Sequence, residues 1–170
     1  EKTTIDKNDF FFFFYNKKIN FDVVLMCIDG TPGEDGKFQG YFDMLKIPYT
    51  CCDASVSALT FNKRATIALA GYSGIAVSKS VMLLQHDKTI PDEAIKNLQF
   101  PVFVKPNNGG SSIGMSKVQK FSEEIGVAID KAFAEDSQVL VEEFISGREL
   151  TIGVFKSGKE IITLPITEII

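Results

Sequence analysis

The chain has 170 residues, of which 45% are hydrophobic and 24% charged, which is typical of a globular protein with room for one large or two small domains. Its net charge of -4 argues against general nucleic-acid binding, and no apolar run is long enough to span a membrane. Three cysteines without a CxxC pair and a single histidine argue against a disulfide framework, a zinc cluster and a His-based metal site. They favour a reducing compartment, the cytoplasm.

The first third of the chain predicts two strands, a loop and a helix. Residues 10–15 and 19–28 are rich in aromatic and β-branched side chains, and the second run is apolar enough for a strand covered on both faces. A Gly/Pro/Asp segment follows at residues 29–36, which we name the acidic loop. It lies at the carboxyl end of a predicted strand, where open α/β sheets bind ligands. Residues 37–46 have helical spacing and predict a helix.

The rest of the chain alternates between predicted helices and strands. Helices are predicted at residues 53–70, 91–98 and 122–134, and strands at residues 75–84, 102–106, 115–119 and 138–145. Two further segments, residues 149–156 and 160–169, predict a hairpin that turns at Ser157-Gly158.

The segment after the strand at residues 102–106 is the Gly/Ser loop, residues 107–114, with the sequence NNGGSSIG. Its small side chains let backbone N–H groups approach an anion, while Ser111 and Ser112 add donors and Lys105 adds a positive charge. The two commonest phosphate-binding fingerprints are absent from it. These residues alone therefore leave two interpretations open, a loop that covers phosphates and a hairpin turn after a core strand.

Several motifs occur in an order and at spacings that together are far more specific than any one of them. They are GEDG at residues 33–36, IPY at 47–49, SAL at 57–59 with NK at 62–63, VKP at 104–106, GSSIG at 110–114, VEEFISGRE at 141–149 and PITEI at 165–169. On these motifs nearly the whole chain resembles the first half of the D-alanine–D-alanine ligase family, in the versions typical of Bacteroidetes.

This resemblance implies an α/β chain of the α+β ATP-grasp type. Residues 1–52 would end a Rossmann-like substrate domain, residues 53–142 would form the ATP-grasp central lobe, and residues 143–170 would start the C-terminal lobe. It implies a cytoplasmic homodimer that uses ATP and Mg²⁺ or Mn²⁺. The carboxylate of one D-alanine becomes an acyl phosphate, and the amine of a second D-alanine displaces phosphate to give a peptidoglycan precursor.

The resemblance also implies roles for individual residues. Glu34 and Ser111 match residues of the catalytic loops, and the resemblance implies that Ser111 faces Glu34 across the substrate. The matches to ATP-binding residues are Lys63, Lys105, Ser112, Glu142, Glu143, Phe144, Ile145 and Glu149. The alternatives are ordinary ones: surface lysines, a turn acid, a solvated strand end and a core phenylalanine. Because adjacent strand residues point to opposite faces, only one of Glu142 and Glu143 is expected to face the nucleotide.

Two features qualify the assignment. Asp29 stands where the family usually has histidine, so a degenerate nucleotide-binding module remains as an alternative. An ATP-grasp ligase with D-lactate or D-serine as acceptor remains as another, because the resemblance implies that the loop which discriminates between acceptors lies beyond Ile170. The chain begins with Glu1 and ends in an apolar run, so we expect an internal piece of a longer protein, inactive alone and prone to oligomerise or aggregate. The residues expected to bind magnesium would then lie outside it, and no metal ligand is assigned.

Overall fold

A four-stranded antiparallel sheet backed by one helix forms the core of the molecule, in a computed structural model that describes residues 4–87 and 92–170. The elements in chain order are β1 (Phe11–Phe14), β2 (Lys17–Asn20), α1 (Lys37–Leu45), α2 (Ala54–Phe61), α3 (Lys63–Tyr72), β3 (Ser80–Leu84), α4 (Asp92–Lys96), β4 (Val102–Pro106), β5 (Ser116–Val118), α5 (Glu123–Phe133), β6 (Gln138–Glu143), β7 (Glu149–Thr151), β8 (Val154–Ser157), β9 (Glu160–Thr163) and β10 (Thr167–Ile169).

The order of the central sheet is β3-β6-β4-β5, and its two faces have different roles. Alternate residues of a strand point to opposite faces, so Val102 and Val104 of β4 lie fully buried beneath α5 together with Val141 of β6. The intervening positions, among them Lys105, point to the other face. Phe103 lies opposite Glu142 in the register, which places Glu142 on that same face. The core therefore fixes which side chains are available to a ligand.

The predicted hairpin around the Gly/Ser loop is confirmed, since β4 and β5 pair antiparallel with Val104 opposite Ser116. The predicted helix at residues 37–46 is confirmed as α1, and that at 122–134 as α5. The hairpin at Ser157-Gly158 is confirmed as β8 and β9, and the flanking strands β7 and β10 pair with each other.

The prediction of one helix over residues 53–70 is wrong. Asn62 has φ -87° and ψ 107°, extended values that end α2 at Phe61 and start α3 at Lys63. The Asn62 side chain accepts a hydrogen bond from the backbone N–H of Ala65 at 2.9 Å, so it caps α3. The helix α3 therefore begins at a position where the apolar sequence pattern alone predicts one continuous helix.

The prediction of a strand over residues 19–28 is only partly right. The run of phenylalanines forms β1 as expected, but β2 ends at Asn20. Beyond it, Val24 makes a single parallel bridge to Tyr49. Val23 and Leu25 are 58% and 73% exposed in the part of the chain that the structure describes. This segment therefore does not form the predicted strand with both faces buried.

Smaller differences occur at other element ends. The predicted strand at residues 75–84 begins only at Ser80, and that at residues 138–145 ends at Glu143. The predicted helix at residues 91–98 is α4, although its first predicted residue lies outside the described ones. None of the helices in the described ranges is long and apolar enough to cross a membrane.

Candidate functional site

The Gly/Ser loop starts from a buried asparagine that joins three segments of the chain. Asn107 is 0% exposed, and its Oδ1 accepts from the backbone N–H of Arg64 at 2.8 Å. Its Nδ2 donates to Oε1 of Gln138 at 2.8 Å, and its carbonyl accepts from the backbone N–H of Lys63 at 3.0 Å. Asn107 thus fixes the first turn of α3 beside the end of β4, and places Lys63 at the loop.

The next residue makes a second connection. Asn108 donates to the same carboxylate oxygen of Asp136 from its backbone N–H and its side-chain Nδ2, at 2.7 Å and 2.8 Å. It also makes an isolated antiparallel bridge to Asn62, the residue that caps α3. The loop therefore begins from a fixed base rather than from a freely moving strand end.

Two lysines line a cavity of about 250 Å³ beneath the Gly/Ser loop. Lys63 Nζ donates to the carbonyl of Gly109 at 2.8 Å, and Lys105 lies at the end of β4. Burial, and next the positive charge of Lys105, lower the pKa of the Lys63 ammonium, although Asp136 and Glu142 act in the opposite direction. No acidic side chain of the described residues lines this cavity, which is therefore suited to an anion.

Glu142 is the counter-ion of Lys105. Its Oε1 lies 3.1 Å from Lys105 Nζ, and the two side chains are 17% and 19% exposed. Its other oxygen, Oε2, is buried and has no hydrogen-bond partner among the described residues. A buried carboxylate oxygen without a donor is unfavourable, so this atom is a ready acceptor for a donor group on a ligand.

Other residues of the predicted nucleotide segment have different surroundings. The Glu143 carboxylate accepts from the backbone N–H of Gln99 at 2.8 Å, on the other side of the strand from Glu142. Phe144 packs edge-on against Phe103 at 5.7 Å between ring centroids, and Lys117 Nζ lies 3.5 Å from its ring centroid. Ile145 is 67% exposed.

Glu149 lies on β7, exposed, opposite Ile169 of β10. Among the described contacts no side-chain hydrogen bond joins Glu149 to Lys63, Lys105 or Glu142. Ser112 also lies exposed, on the rim of the cavity beneath the Gly/Ser loop. The predicted binding residues thus divide into a cluster at the cavity and an outer group on the strands that follow.

The acidic loop approaches the Gly/Ser loop, but by a different residue from the one expected. Glu34 accepts from the backbone N–H of Gly30 at 2.7 Å, so its carboxylate bonds within its own loop. Asp29 instead accepts from the Ser111 hydroxyl at 3.0 Å. The two loops border a second cavity of about 570 Å³, whose lining includes Gly30 and Gly110.

A divalent metal ion would need several liganding side chains close together in the described residues. They contain no group of three or more His, Cys, Asp or Glu side chains that could hold one. No ligand set for magnesium or manganese is therefore assigned within the described residues.

Two family models and several known proteins match this chain. The family model described as D-ala D-ala ligase C-terminus matches residues 62–170, and the one described as D-ala D-ala ligase N-terminus matches residues 2–52. The chain belongs to the D-alanine–D-alanine ligase family. Two relatives named D-alanine–D-alanine ligase are 41% identical over 169 residues (Bacteroides fragilis) and 47% identical over 168 residues (Azobacteroides pseudotrichonymphae). The alignments cover 99% and 98% of this chain, and 52% and 51% of the relatives.

Solved structures of the D-alanine–D-alanine ligase family have the same fold. The VanG D-Ala:D-Ser ligase from Enterococcus faecalis superposes with a TM-score of 0.83 at 34% identity, over 98% of this chain and 49% of that one. D-alanyl-alanine synthetase A from Vibrio cholerae gives a TM-score of 0.87 at 29% identity, over 99% and 52%. The expected ATP-grasp type of α+β fold is confirmed, and the chain spans about half the length of the relatives it matches.

Several residues that build the site carry no local signal in the sequence. Asn107 lies 43 residues after Arg64 and 31 residues before Gln138 in the sequence. Asp136 lies in the loop between α5 and β6. Asn62 could have been recognised as a helix cap, because asparagine before a new helical run is a common start signal. The others become visible only when the sheet brings β4 and β6 together.

Proposed function

We propose that the protein containing this chain is an ATP-dependent ligase that joins two D-alanines, and that this chain supplies part of its ATP site. The observation that carries the proposal is the placement of Lys63 and Lys105 around one cavity beneath the Gly/Ser loop. A polyphosphate needs several positive charges and donors to offset its own repulsion. The names of the relatives support the choice of substrates.

The residues of the site suit a nucleotide. Lys63 and Lys105 would hold the phosphates, and backbone N–H groups of the Gly/Ser loop would add donors where Gly109 has no side chain to interfere. The free Oε2 of Glu142 would accept from a donor group of the nucleoside. ATP supplies the γ-phosphoryl group that activates the carboxylate of the first D-alanine.

The loops around the cavity suit the exclusion of water. An acyl phosphate is readily hydrolysed, so a ligase gains from covering it until the amine attacks. Ser111 and Ser112 lie on the loop that would form this cover, and Glu34 holds the acidic loop in shape beside it. We assign Glu34 and Ser111 to this covering role in catalysis, with Phe144, Ile145 and Glu149 shaping the nucleoside end. The Glu143 side chain lies on the opposite side of the strand and holds the Gln99 backbone.

The main alternative concerns the second substrate, which could be a molecule other than D-alanine. VanG is named as a D-Ala:D-Ser ligase, and its structure matches this chain over nearly as large a share as that of the Vibrio cholerae D-alanyl-alanine synthetase does. D-serine therefore stands as the alternative acceptor, and D-lactate as a further one.

The experiment is a phosphate-release assay on the full-length protein with ATP and magnesium. Release that requires D-alanine, with dipeptide as product, is the expected result, and D-serine and D-lactate are tested as second substrates. Lys105→Met should weaken binding of a non-hydrolysable ATP analogue by at least about tenfold, because a charge-assisted contact is lost. Lys159→Met, on the exposed turn between β8 and β9, is the matched control. No release dependent on D-alanine would contradict the proposal.

The organisation of the whole protein is proposed with it. We infer the three parts at residues 1–52, 53–142 and 143–170, and the matches of the two family models on either side of residues 53–61 support the first division. A cytoplasmic homodimer is the corresponding proposal for location and assembly, and dependence on ATP supports the location.

A further inference from the structure

A hydrogen bond joins the acidic loop to the Gly/Ser loop, whose Ser111 lines the cavity of Lys63 and Lys105. Oδ2 of Asp29 accepts from the Ser111 hydroxyl at 3.0 Å. Oδ1 of the same carboxylate lies 3.9 Å from where a Cβ on Gly110 would be. The carboxylate therefore bonds to the Ser111 side chain and lies on the side of Gly110 where a side chain would project.

The Asp29 end of this contact is held firmly. The carbonyl of Gly30 accepts from the N–H groups of Gly33 and Glu34 at 2.9 Å and 2.8 Å. The Glu34 carboxylate accepts in turn from the Gly30 N–H at 2.7 Å. Buried Gln39, on α1, donates to the carbonyl of Gly33 at 2.6 Å. Asp29 thus projects from a closed turn that is fixed to a helix.

The Gly/Ser loop end has few other constraints. Ser111 and Ser112 have φ values of 51° and 57°, in the left-handed region that side chains rarely adopt. Ile113 is 61% exposed. In residues 110–114 the bond to Asp29 is the one described side-chain hydrogen bond to another part of the chain. Within the tip, the N–H groups of Ile113 and Met115 donate to the carbonyls of Gly110 and Ser112, both at 3.2 Å. The bond to Asp29 is therefore what ties this local turn to another part of the fold.

We propose that Asp29 is a positioning residue, which acts through Ser111 to hold the Gly/Ser loop over the cavity of Lys63 and Lys105. The contact itself is independent of the proposed function, whereas its effect on a nucleotide rests on that function. Asp29 has two opposed effects there. Its oxygen keeps the loop in the covering conformation, and its charge disfavours a polyanion close by.

Two substitutions separate these effects. Asp29→Ala removes both the acceptor and the charge, while Asp29→Asn removes the charge and keeps an oxygen that accepts from Ser111. Asp22→Ala is the control, since Asp22 is an exposed aspartate of the same region with no described side-chain hydrogen bond. Both positions are exposed, so the fold should persist, and peptides from α5 and β6 serve as internal standards.

The first measurement is hydrogen exchange of residues 109–115 in the full-length protein without nucleotide. Asp29→Ala should speed exchange about two- to tenfold, the range for loss of one hydrogen bond. Asp29→Asn should stay within about twofold of the wild-type rate, and Asp22→Ala should match the wild type. Unchanged exchange in Asp29→Ala, or equal acceleration in Asp29→Asn, would overturn the proposal.

The second measurement is affinity for a non-hydrolysable ATP analogue. Asp29→Asn should bind more tightly than the wild type, and Asp29→Ala should bind about two- to tenfold more weakly than Asp29→Asn. Equal affinities of the two variants would also contradict the positioning role. If the wild type and every variant fail to bind the analogue, the proposed function fails, while exchange without nucleotide still decides the role of Asp29.

Discussion

Replacing Asn107 by alanine should lower the stability of the fold. The amide of Arg64 in the first turn of α3 loses its partner, which costs about 0.5–2 kcal/mol for a helix cap. Oε1 of Gln138 loses its donor, and a buried unpaired group costs about 1–3 kcal/mol. Gln138 is only partly buried and can reach water, so the free energy of unfolding should fall by about 2–4 kcal/mol.

Urea unfolding of the full-length protein, followed by circular dichroism, measures this change. Asn20→Ala, an exposed asparagine on β2, is the matched control and should alter stability by less than about 0.5 kcal/mol. The double variant with Gln138→Ala should show a coupling of about 0.5–1.5 kcal/mol, because the two single changes remove the same hydrogen bond. If Asn107→Ala unfolds within about 0.5 kcal/mol of the wild type, the junction does not stabilise the fold as argued.

Three further outcomes follow from the site. Gly114→Ala should lower the free energy of unfolding by about 2–4 kcal/mol, because Gly114 has a φ of 72° and a Cβ there would lie 2.8 Å from Glu135 Cγ. Gly110→Ala is the control and should be nearly neutral in the same unfolding assay. The pKa of Lys63 is lowered in the folded protein, so between that pKa and 10.5 the unfolded chain binds more protons than the folded one. The free energy of unfolding without nucleotide should therefore rise with pH across this window. Urea midpoints measured at several pH values should show this rise in the wild type and not in Lys63→Met. Affinity for an ATP analogue should fall over the same window in the wild type, because uncharged Lys63 no longer attracts phosphate, and a flat titration profile would contradict its role.

Much of the fold could be predicted because its signals are local. The alternation of β4, the helical spacing of α1 and α5, and the turn at Gly158 each lie within one short window of sequence. The helix at residues 53–70 was predicted as one piece because its apolar pattern continues through Asn62. There the side-chain cap and the bonds to the loop base favour an extended residue over a helical one.

The residue types of the candidate site could be predicted more fully than the hydrogen bonds that join those residues. The sequence indicated Lys105 at a strand end and a flexible loop after it, and both lie where expected. It could not show that Asp29 rather than Glu34 would meet Ser111, since two acids of one turn differ only in how that turn folds. It could not show the role of Asn107 either, because the three partners of that residue come from separate elements.

The junction at Asn107 has a consequence for engineering and for sequence variation. The Gly/Ser loop, the first turn of α3 and the start of β6 share hydrogen bonds, so they cannot be exchanged independently. A chimera that receives only residues 109–114 from a relative keeps the junction intact. One that receives residues 107–114 must also receive side chains that pair with the new residues 107 and 108, which in this chain are those of Gln138 and Asp136. The portable module is therefore discontinuous in sequence, and substitutions at these positions should be epistatic.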